Sequence, residues 1–233
     1  MNNPFLKRNG EVYVPFTAGE KMATIIYTLG KYLMLLVFPH PLTHDYYPRH
    51  IDIMHFSDGP VVISLISYLV LIGLAVYGYK KDRVLSFGIL YFLITISIVS
   101  NIVFPIGTNM SERFLFMPSL GFCLLVPYLI YKLSGSGKTA MMVVGLISLA
   151  FAAKTFTRNQ VWVNDFTLFT TDVKTSKNSA KVLNAAGGAL QTEAPKEKDV
   201  NKKNQMLQQA VTYLNEAIKI HPTYKNAYLL LGN

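Results

Sequence analysis

Two charged side chains, Glu112 and Arg113, stand directly before an apolar run in the segment 104–126. Pro105 and Gly107 ahead of them indicate a turn. Charges this close to a hydrocarbon phase cost free energy unless they are paired or bind a ligand. The pattern predicts a short polar loop that closes a membrane hairpin, with an ion pair between Glu112 and Arg113 at the start of the next helix. The alternative is that both side chains lie among lipid headgroups, where the Arg head stays solvated.

A second polar segment, residues 39–60, is rich in His and Asp, which raises the question of a metal site. The residues in question are His40, His44, His50, His55, Asp45, Asp52 and Asp58. Their spacing does not match two ligands one helical turn apart, and the prolines in the segment interrupt any helix. No metal site is therefore expected. No nucleophile–base pair or carboxylate pair stands at a recognisable spacing either, so the catalytic residues are unknown.

Apolar residues make up 51% of the chain and are concentrated between residues 22 and 156. Their runs approach the ~20 residues that a bilayer core requires, and backbone groups in lipid are satisfied by helix formation. The sequence therefore predicts an all-α fold, with a membrane domain at residues 1–156 and a helical repeat region at residues 157–233. About five membrane spans are expected, near residues 22–38, 61–79, 84–104, 114–131 and 139–156.

The chain carries a net charge of +9, and its Lys and Arg residues form no stripe on one helix face. This distribution predicts contact with membrane lipids and not with nucleic acid. The basic turns 80–83 and 132–138, together with Lys7, Arg8 and Lys21, are expected on the cytoplasmic side. The loops 39–60 and 105–113 and the repeats would then lie on the extracytoplasmic side. That compartment is the periplasm in a bacterium and the endoplasmic reticulum lumen in a eukaryote.

The polar region after residue 157 shows the apolar period of helices. On the tetratricopeptide pattern, residues 210–232 supply the small, bulky and Pro positions of one helix and the aromatic, Leu and Gly positions of the next. The expected packing residues are Leu183, Ala186, Gly187, Ala210, Leu214, Ala217, Pro222, Tyr228, Leu231 and Gly232. Because so few repeats cannot bury a continuous core, the region is expected to be truncated and the chain a fragment. An ordinary helical hairpin is the alternative.

Three segments in one order carry a resemblance to a known family. They are FPHPLTHDYYPRHI (Phe38–Ile51), FPIGTNMSERFLFMPSLGFCLLV (Phe104–Val126) and RNQVWVNDFTLF (Arg158–Phe169). Followed by tetratricopeptide repeats, they resemble the second half of the transmembrane, repeat-bearing O-mannosyltransferases, and the resemblance covers nearly the whole chain. It implies an integral-membrane glycosyltransferase that takes a sugar from a polyprenyl-phosphate carrier. The acceptors would be Ser or Thr hydroxyls of proteins on the non-cytoplasmic side.

The resemblance also implies site residues and partners. Arg113 and Glu112, with Asp45 and Tyr46, are the expected contacts of the lipid phosphate or donor, since a guanidinium grips two phosphate oxygens. The implied partners are membrane lipids, the polyprenyl-phosphate sugar as substrate, and an acceptor or partner protein bound by the repeats, without a cofactor. The family's catalytic acid lies in a first external loop that this chain does not match, so this fragment is expected to be inactive alone. The alternative is a membrane-anchored repeat scaffold without chemistry.

Overall fold

The computed structural model describes residues 5–9, 12–48, 50–103 and 105–233, and these residues are mainly helical. Among these residues, a short antiparallel hairpin, β1 and β2, precedes nine α-helices. The elements are β1 (Leu6–Asn9), β2 (Val12–Pro15), α1 (Ala18–Val37), α2 (Gly59–Lys81), α3 (Arg83–Ile98), α4 (Ser119–Ser134), α5 (Gly137–Val161), α6 (Asp165–Thr175), α7 (Ala180–Glu193), α8 (Val200–Ile220) and α9 (Lys225–Leu231). The all-α expectation is confirmed apart from the hairpin.

Two helices in the described part of the chain are long and apolar enough to cross a membrane, not about five. They are α2, with 23 residues, and α5, with 25 residues. The apolar helices α3 and α4 have 16 residues each. At about 1.5 Å per residue, such a helix is about 24 Å long, short of the ~30 Å hydrocarbon core. The predicted end of one span at Phe104 lies outside the described residues.

The predicted first span, now part of α1, packs against the first half of α2, where the Tyr68 hydroxyl donates to the carbonyl oxygen of Leu29 at 3.1 Å. Thr24 Oγ1 accepts a hydrogen bond from the N–H of Met54, 3.1 Å away and just before α2 begins. The Tyr32 hydroxyl accepts one from the N–H of Ser111, 3.0 Å away and ahead of α4. Both halves of α1 therefore contact the same end of the molecule. This end, with the loops 39–58 and 99–118, is called the loop end below.

The position of α1 also corrects the predicted distribution of basic residues. Lys7 pairs with Glu20 in the first turn of α1 at 2.6 Å, and Lys21 lies over the Phe5 ring. Both lysines are therefore at the loop end, opposite the basic turns at residues 80–83 and 132–138. The side chain of Arg8, predicted with them, lies outside the described part. Glu20 also takes part in the cap that fixes the start of α1, since Thr17 and Glu20 form a reciprocal capping box.

The helices α2 to α5 run back and forth and approach closely at small residues. A Cβ added at Gly121 of α4 would lie 2.6 Å from the carbonyl oxygen of Gly88 in α3. Such small residues let helix backbones meet at van der Waals distance. The turn after α4 uses Gly135 at a φ of +63°, the left-handed conformation that favours glycine at a helix end.

The helices α6 to α9 form a separate apolar core, with α7 packed on α8. Gly187 lies so close to α8 that an added Cβ would be 2.7 Å from Leu214 Cγ. Of the predicted packing residues, the buried ones are Leu183, Ala186, Gly187, Ala210, Leu214 and Ala217. Leu231 packs against the same core and Pro222 follows the end of α8, whereas Tyr228 and Gly232 are exposed. The tetratricopeptide assignment stays a prediction. So does the domain boundary after residue 156, which falls within α5.

Candidate functional site

A cleft of about 760 Å³ opens at the loop end between α1, α4 and α5. Its wall is largely apolar, built from Leu35, Leu36, Leu42, Leu115, Phe116, Phe122 and Phe151. Four ionisable side chains also line it, and three of them are basic. They are Arg113, Lys154, Arg158 and the single acid Glu112. An apolar trough with a cationic wall suits a ligand that has an apolar body and an anionic head.

Glu112 is held by the loop 39–58. Its Oε1 accepts hydrogen bonds from the N–H of Thr43 at 2.6 Å and from the hydroxyl of Tyr46 at 2.8 Å. Burial raises the pKa of Glu112, although these two hydrogen bonds act in the opposite direction. Tyr46 is 4% exposed, and burial together with the nearby Glu112 charge raises the pKa of its hydroxyl. Glu112 and Tyr46, two of the four predicted donor contacts, are therefore hydrogen-bonded to each other.

The predicted ion pair between Glu112 and Arg113 is wrong. Within the described ranges, no hydrogen bond or salt bridge joins the two side chains. Both residues lie in a short 3-10 turn, Glu112–Leu115, where successive side chains point about 120° apart. Glu112 turns to the loop, while the exposed Arg113 lies over the Phe114 ring and lines the cleft. Arg113 thus lines the cleft without a carboxylate partner among the described residues.

Asp45 lies apart from the other predicted contacts. Its Oδ2 pairs with Lys181 Nζ of α7 at 2.6 Å, and its Oδ1 accepts a hydrogen bond from the N–H of Tyr47 at 2.8 Å. It is not part of the cleft lining. The structure therefore gives Asp45 a contact with the repeat helices, whereas Arg113 and Glu112 reach the cleft directly and Tyr46 touches it through Glu112.

Sequence reasoning missed a cluster of three side chains, Asp172, Arg158 and His44, called the Asp172 cluster below. The two Nη atoms of Arg158 donate to the two carboxylate oxygens of Asp172, at 2.6 and 2.8 Å. The N–H of His44 donates to Asp172 at 2.7 Å, and His44 Nδ1 lies 3.0 Å away. Burial by itself would raise the pKa of Asp172, but its bonds to Arg158 and His44 outweigh burial and hold that pKa at about 2.

Lys154 is the second residue that sequence reasoning missed. Its Nζ lies 3.2 Å from His40 Nδ1, and no carboxylate pairs with it within the described residues. A signal was present, because Lys154 is the lone charged residue in the predicted span 139–156. An ionisable residue inside a predicted span marks a functional position by default. For the Asp172 cluster no such local signal exists, since its members are far apart in the chain.

The three sequence segments that carry the family resemblance meet at this site. The first supplies Thr43, His44 and Tyr46, the second supplies Glu112, and the third supplies Arg158. Together they hold Glu112 and Arg158 at the cleft. The arrangement can bind an anion through Arg113 and Lys154, and it presents no nucleophile–base pair within the described part of the chain.

Known proteins align along most of this chain. Human protein O-mannosyl-transferase TMTC3 is 34% identical over 136 residues, which is 57% of this chain and 14% of the human protein. Drosophila melanogaster protein O-mannosyl-transferase Tmtc3 is 26% identical over 91% of this chain and 23% of its own length. Caenorhabditis elegans protein O-mannosyl-transferase F38B6.6 is 27% identical over 97% of this chain and 30% of its own length. No family model and no solved structure matches.

The chain is a homologue of the TMTC protein O-mannosyl-transferases. The resemblance stated from the three segments is thereby confirmed. The chain spans 14% to 30% of the length of these three relatives. A glycosyltransferase-family relationship is thus shown, while activity, substrates and partners are matters for proposal.

Proposed function

We propose that the chain forms the donor-binding part of an integral-membrane glycosyltransferase of the protein O-mannosylation type. In this proposal the cleft holds the phosphate end of a polyprenyl-phosphate sugar. One observation carries it: an apolar cleft at the loop end contains two cations, Arg113 and Lys154, that no described carboxylate neutralises. The names of the homologous proteins support the same reaction class.

The three cations of the cleft have different parts in this proposal. Arg158 is committed to Asp172 through both Nη atoms and stays on the cleft wall as a positioned side chain. Arg113 is exposed, and its planar fork matches two oxygens of one phosphate. Lys154 adds a second positive charge from α5. The isoprenoid would lie along the Leu and Phe side chains of the same cleft, where burial of apolar surface stabilises it.

The proposal places the loop end and the repeats on the extracytoplasmic side of the membrane. The contacts of Asp45 with Lys181 and of His44 with Asp172 support this proposal, because they join the repeats to the loop 39–58. The basic turns 80–83 and 132–138 at the opposite end also support it, since basic turns favour the cytoplasm. Lys7 and Lys21, at the loop end, count against it. The repeats would bind the acceptor protein or another partner beside the cleft.

The test is binding of a polyprenyl phosphate to the full chain in lipid nanodiscs, compared with the corresponding polyprenol. Loss of a charge-assisted contact costs about 1.5–3 kcal/mol, or about 10- to 100-fold in affinity. Arg113→Ala should weaken phosphate binding by that factor, and Arg113→Lys should recover only a small part, since Lys lacks the fork. Polyprenol should bind weakly and equally to all variants.

Lys138→Ala is the matched control. Lys138 lies on the same helix as Lys154 but at the far end of α5, away from the cleft. Lys138→Ala should bind polyprenyl phosphate with the same affinity as the wild type. Equal binding of polyprenyl phosphate and polyprenol by the wild type would overturn the donor-site proposal. That result would favour the alternative of a membrane-anchored repeat scaffold. Full recovery by Arg113→Lys would reduce Arg113 to a headgroup anchor.

A further inference from the structure

Asp172 is the most buried acid at the loop end, and it belongs to the repeat side of the chain. It lies on α6, the first helix after α5, and its side chain is 1% exposed. Its carboxylate receives two donors from Arg158 of α5 and the N–H of His44 from the loop 39–58. One carboxylate therefore joins three segments, and a buried charge with this many partners fixes their relative positions.

The same helix reaches the acid of the cleft through one further residue. Ser176, directly after α6, donates its hydroxyl to Thr43 Oγ1 at 2.8 Å. The N–H of Thr43 donates to Glu112 at 2.6 Å. Thus the end of α6 holds the backbone segment at Thr43 and His44, and that segment holds the turn with Glu112 and Arg113. These contacts connect the repeat helices to the charged residues that line the cleft.

We propose that Asp172 is a positioning residue that couples the repeat helices to the cleft. It does not line the cleft itself, since the lining residue of its cluster is Arg158. Its part is to hold the Arg158 guanidinium at the cleft and, through His44 and Thr43, to hold the Glu112–Arg113 turn there as well. This inference rests on the proposed function for the identity of the ligand, a lipid phosphate.

Coupling of this kind works in both directions. If docking of α6 on the loop improves the affinity of the cleft for its ligand, the ligand must stabilise the docking by the same factor. Ligand binding should therefore slow amide hydrogen exchange in α6 and α7, which lie outside the cleft. Local opening of that contact is the event that exchange reports.

The experiment uses the full chain in nanodiscs as wild type, Asp172→Asn and Asp165→Asn. Asp165 lies on the same helix, is exposed, and serves as the matched control. Asp172→Asn should raise the Kd for polyprenyl phosphate at least tenfold while the number of sites per folded chain stays the same. It should also speed amide exchange at residues 43–46 and 112–115 without any ligand. Asp165→Asn should change neither quantity.

The outcomes separate this inference from the proposed function. A merely structural role would lower the number of binding-competent molecules and leave Kd unchanged in those that remain, which would overturn the coupling. Unchanged exchange at residues 43–46 and 112–115 in Asp172→Asn would overturn it without reference to any ligand. Absence of phosphate-dependent binding by the wild type, with faster exchange in Asp172→Asn, would instead overturn the donor site and leave the repeat-to-loop coupling standing. Phosphatidic acid is tested as a second ligand. If Asp172→Asn loses as much affinity for phosphatidic acid as for polyprenyl phosphate, the coupling is not specific for the proposed donor.

Discussion

The two ends of the helices α2–α5 each contain an acid bound to a cation, but they are built differently. The end opposite the loop end, with the turns 80–83 and 132–138, is called the turn end. There Asp82 accepts hydrogen bonds from Lys132 at 2.5 Å, from Tyr128 at 2.8 Å and from the N–H of Leu85 at 3.1 Å. Lys132 remains 56% exposed. These groups belong to the turn, to the first turn of α3 and to the adjacent helix α4. The pair joins one helical hairpin to its neighbour, and neither residue lines the cleft at the loop end.

At the loop end, the acids are satisfied by groups from distant parts of the chain. Glu112 takes the N–H of Thr43 and the hydroxyl of Tyr46, while Asp172 takes Arg158 and the loop. Because the acids have these partners, the cations Arg113 and Lys154 are left to face the cleft. The difference teaches that an acid next to a cation in sequence need not neutralise it. Long-range partners for the acids are what leave Arg113 and Lys154 free of carboxylates among the described residues, as the proposed donor site requires.

The largest expected effect of a single change lies in the Asp172 cluster. Arg158→Ala would leave the buried Asp172 carboxylate without its cation, and breaking a buried pair in this way costs about 3–5 kcal/mol of unfolding free energy. Denaturation in mixed micelles, followed by circular dichroism, measures the loss. Arg113→Ala, at an exposed position, is the control. Equal destabilisation by Arg158→Ala and Arg113→Ala would show that the buried Asp172 pair contributes no more to stability than an exposed side chain of the loop end.

A smaller effect is expected at Glu112, and it depends on the replacement. Glu112→Ala leaves the Thr43 N–H and the Tyr46 hydroxyl without an acceptor, at a cost of about 2–3 kcal/mol. Glu112→Gln keeps an acceptor oxygen and should lose less than about 1 kcal/mol at neutral pH. Since burial raises the pKa of Glu112 in the folded state, the folded state binds the proton more tightly than the unfolded state.

The pH dependence gives the Glu112 prediction its sign. Relative to Glu112→Gln, the wild type should gain stability as pH falls through the raised folded pKa towards the unfolded value near ~4.3. Unfolding of both proteins at a series of pH values measures this difference. A wild type that loses stability relative to the Gln variant on acidification would mean that Glu112 ionises more readily in the folded state than in the unfolded chain.

The smallest effect is expected at the turn end. Asp82→Asn keeps an oxygen that can cap α3 at Leu85 and accept from Tyr128, and it loses only the charge that attracts the exposed Lys132. The hydrogen bond from Lys132 lowers the pKa of Asp82 to about 2. The wild type should therefore be more stable than Asp82→Asn above the unfolded pKa of Asp82, near ~3.9, and this difference in stability should vanish as pH falls towards about 2. Thermal unfolding measures the effect. If Asp82→Asn lowers the Tm more than Glu112→Ala does, the turn end depends more on its acid than the loop end does.

Local pattern was sufficient where the deciding interactions are local. The long apolar runs predicted α2 and α5, and the three segments predicted the family. Local pattern failed for α1, which is apolar enough to suggest a span, although its Thr24 and Tyr32 bind loop groups at a single end of the molecule. It also overestimated the spans at α3 and α4, because the apolar runs extend into the loop after α3 ends and into the loop before α4 begins.

The sequence by itself determined the helices, their apolar faces, the polar loops and the presence of Glu112 and Arg113 before an apolar run. Helical period, caps and turn residues act over a few positions, so these features can be read from neighbouring residues. Only the tertiary structure decided which acid each cation meets. Glu112 bonds to groups 66 and 69 residues away, and Asp172 bonds to His44 128 residues away. A partner at that separation is chosen by packing of the whole chain, which lowers the free energy of the assembled site and leaves no trace in local spacing.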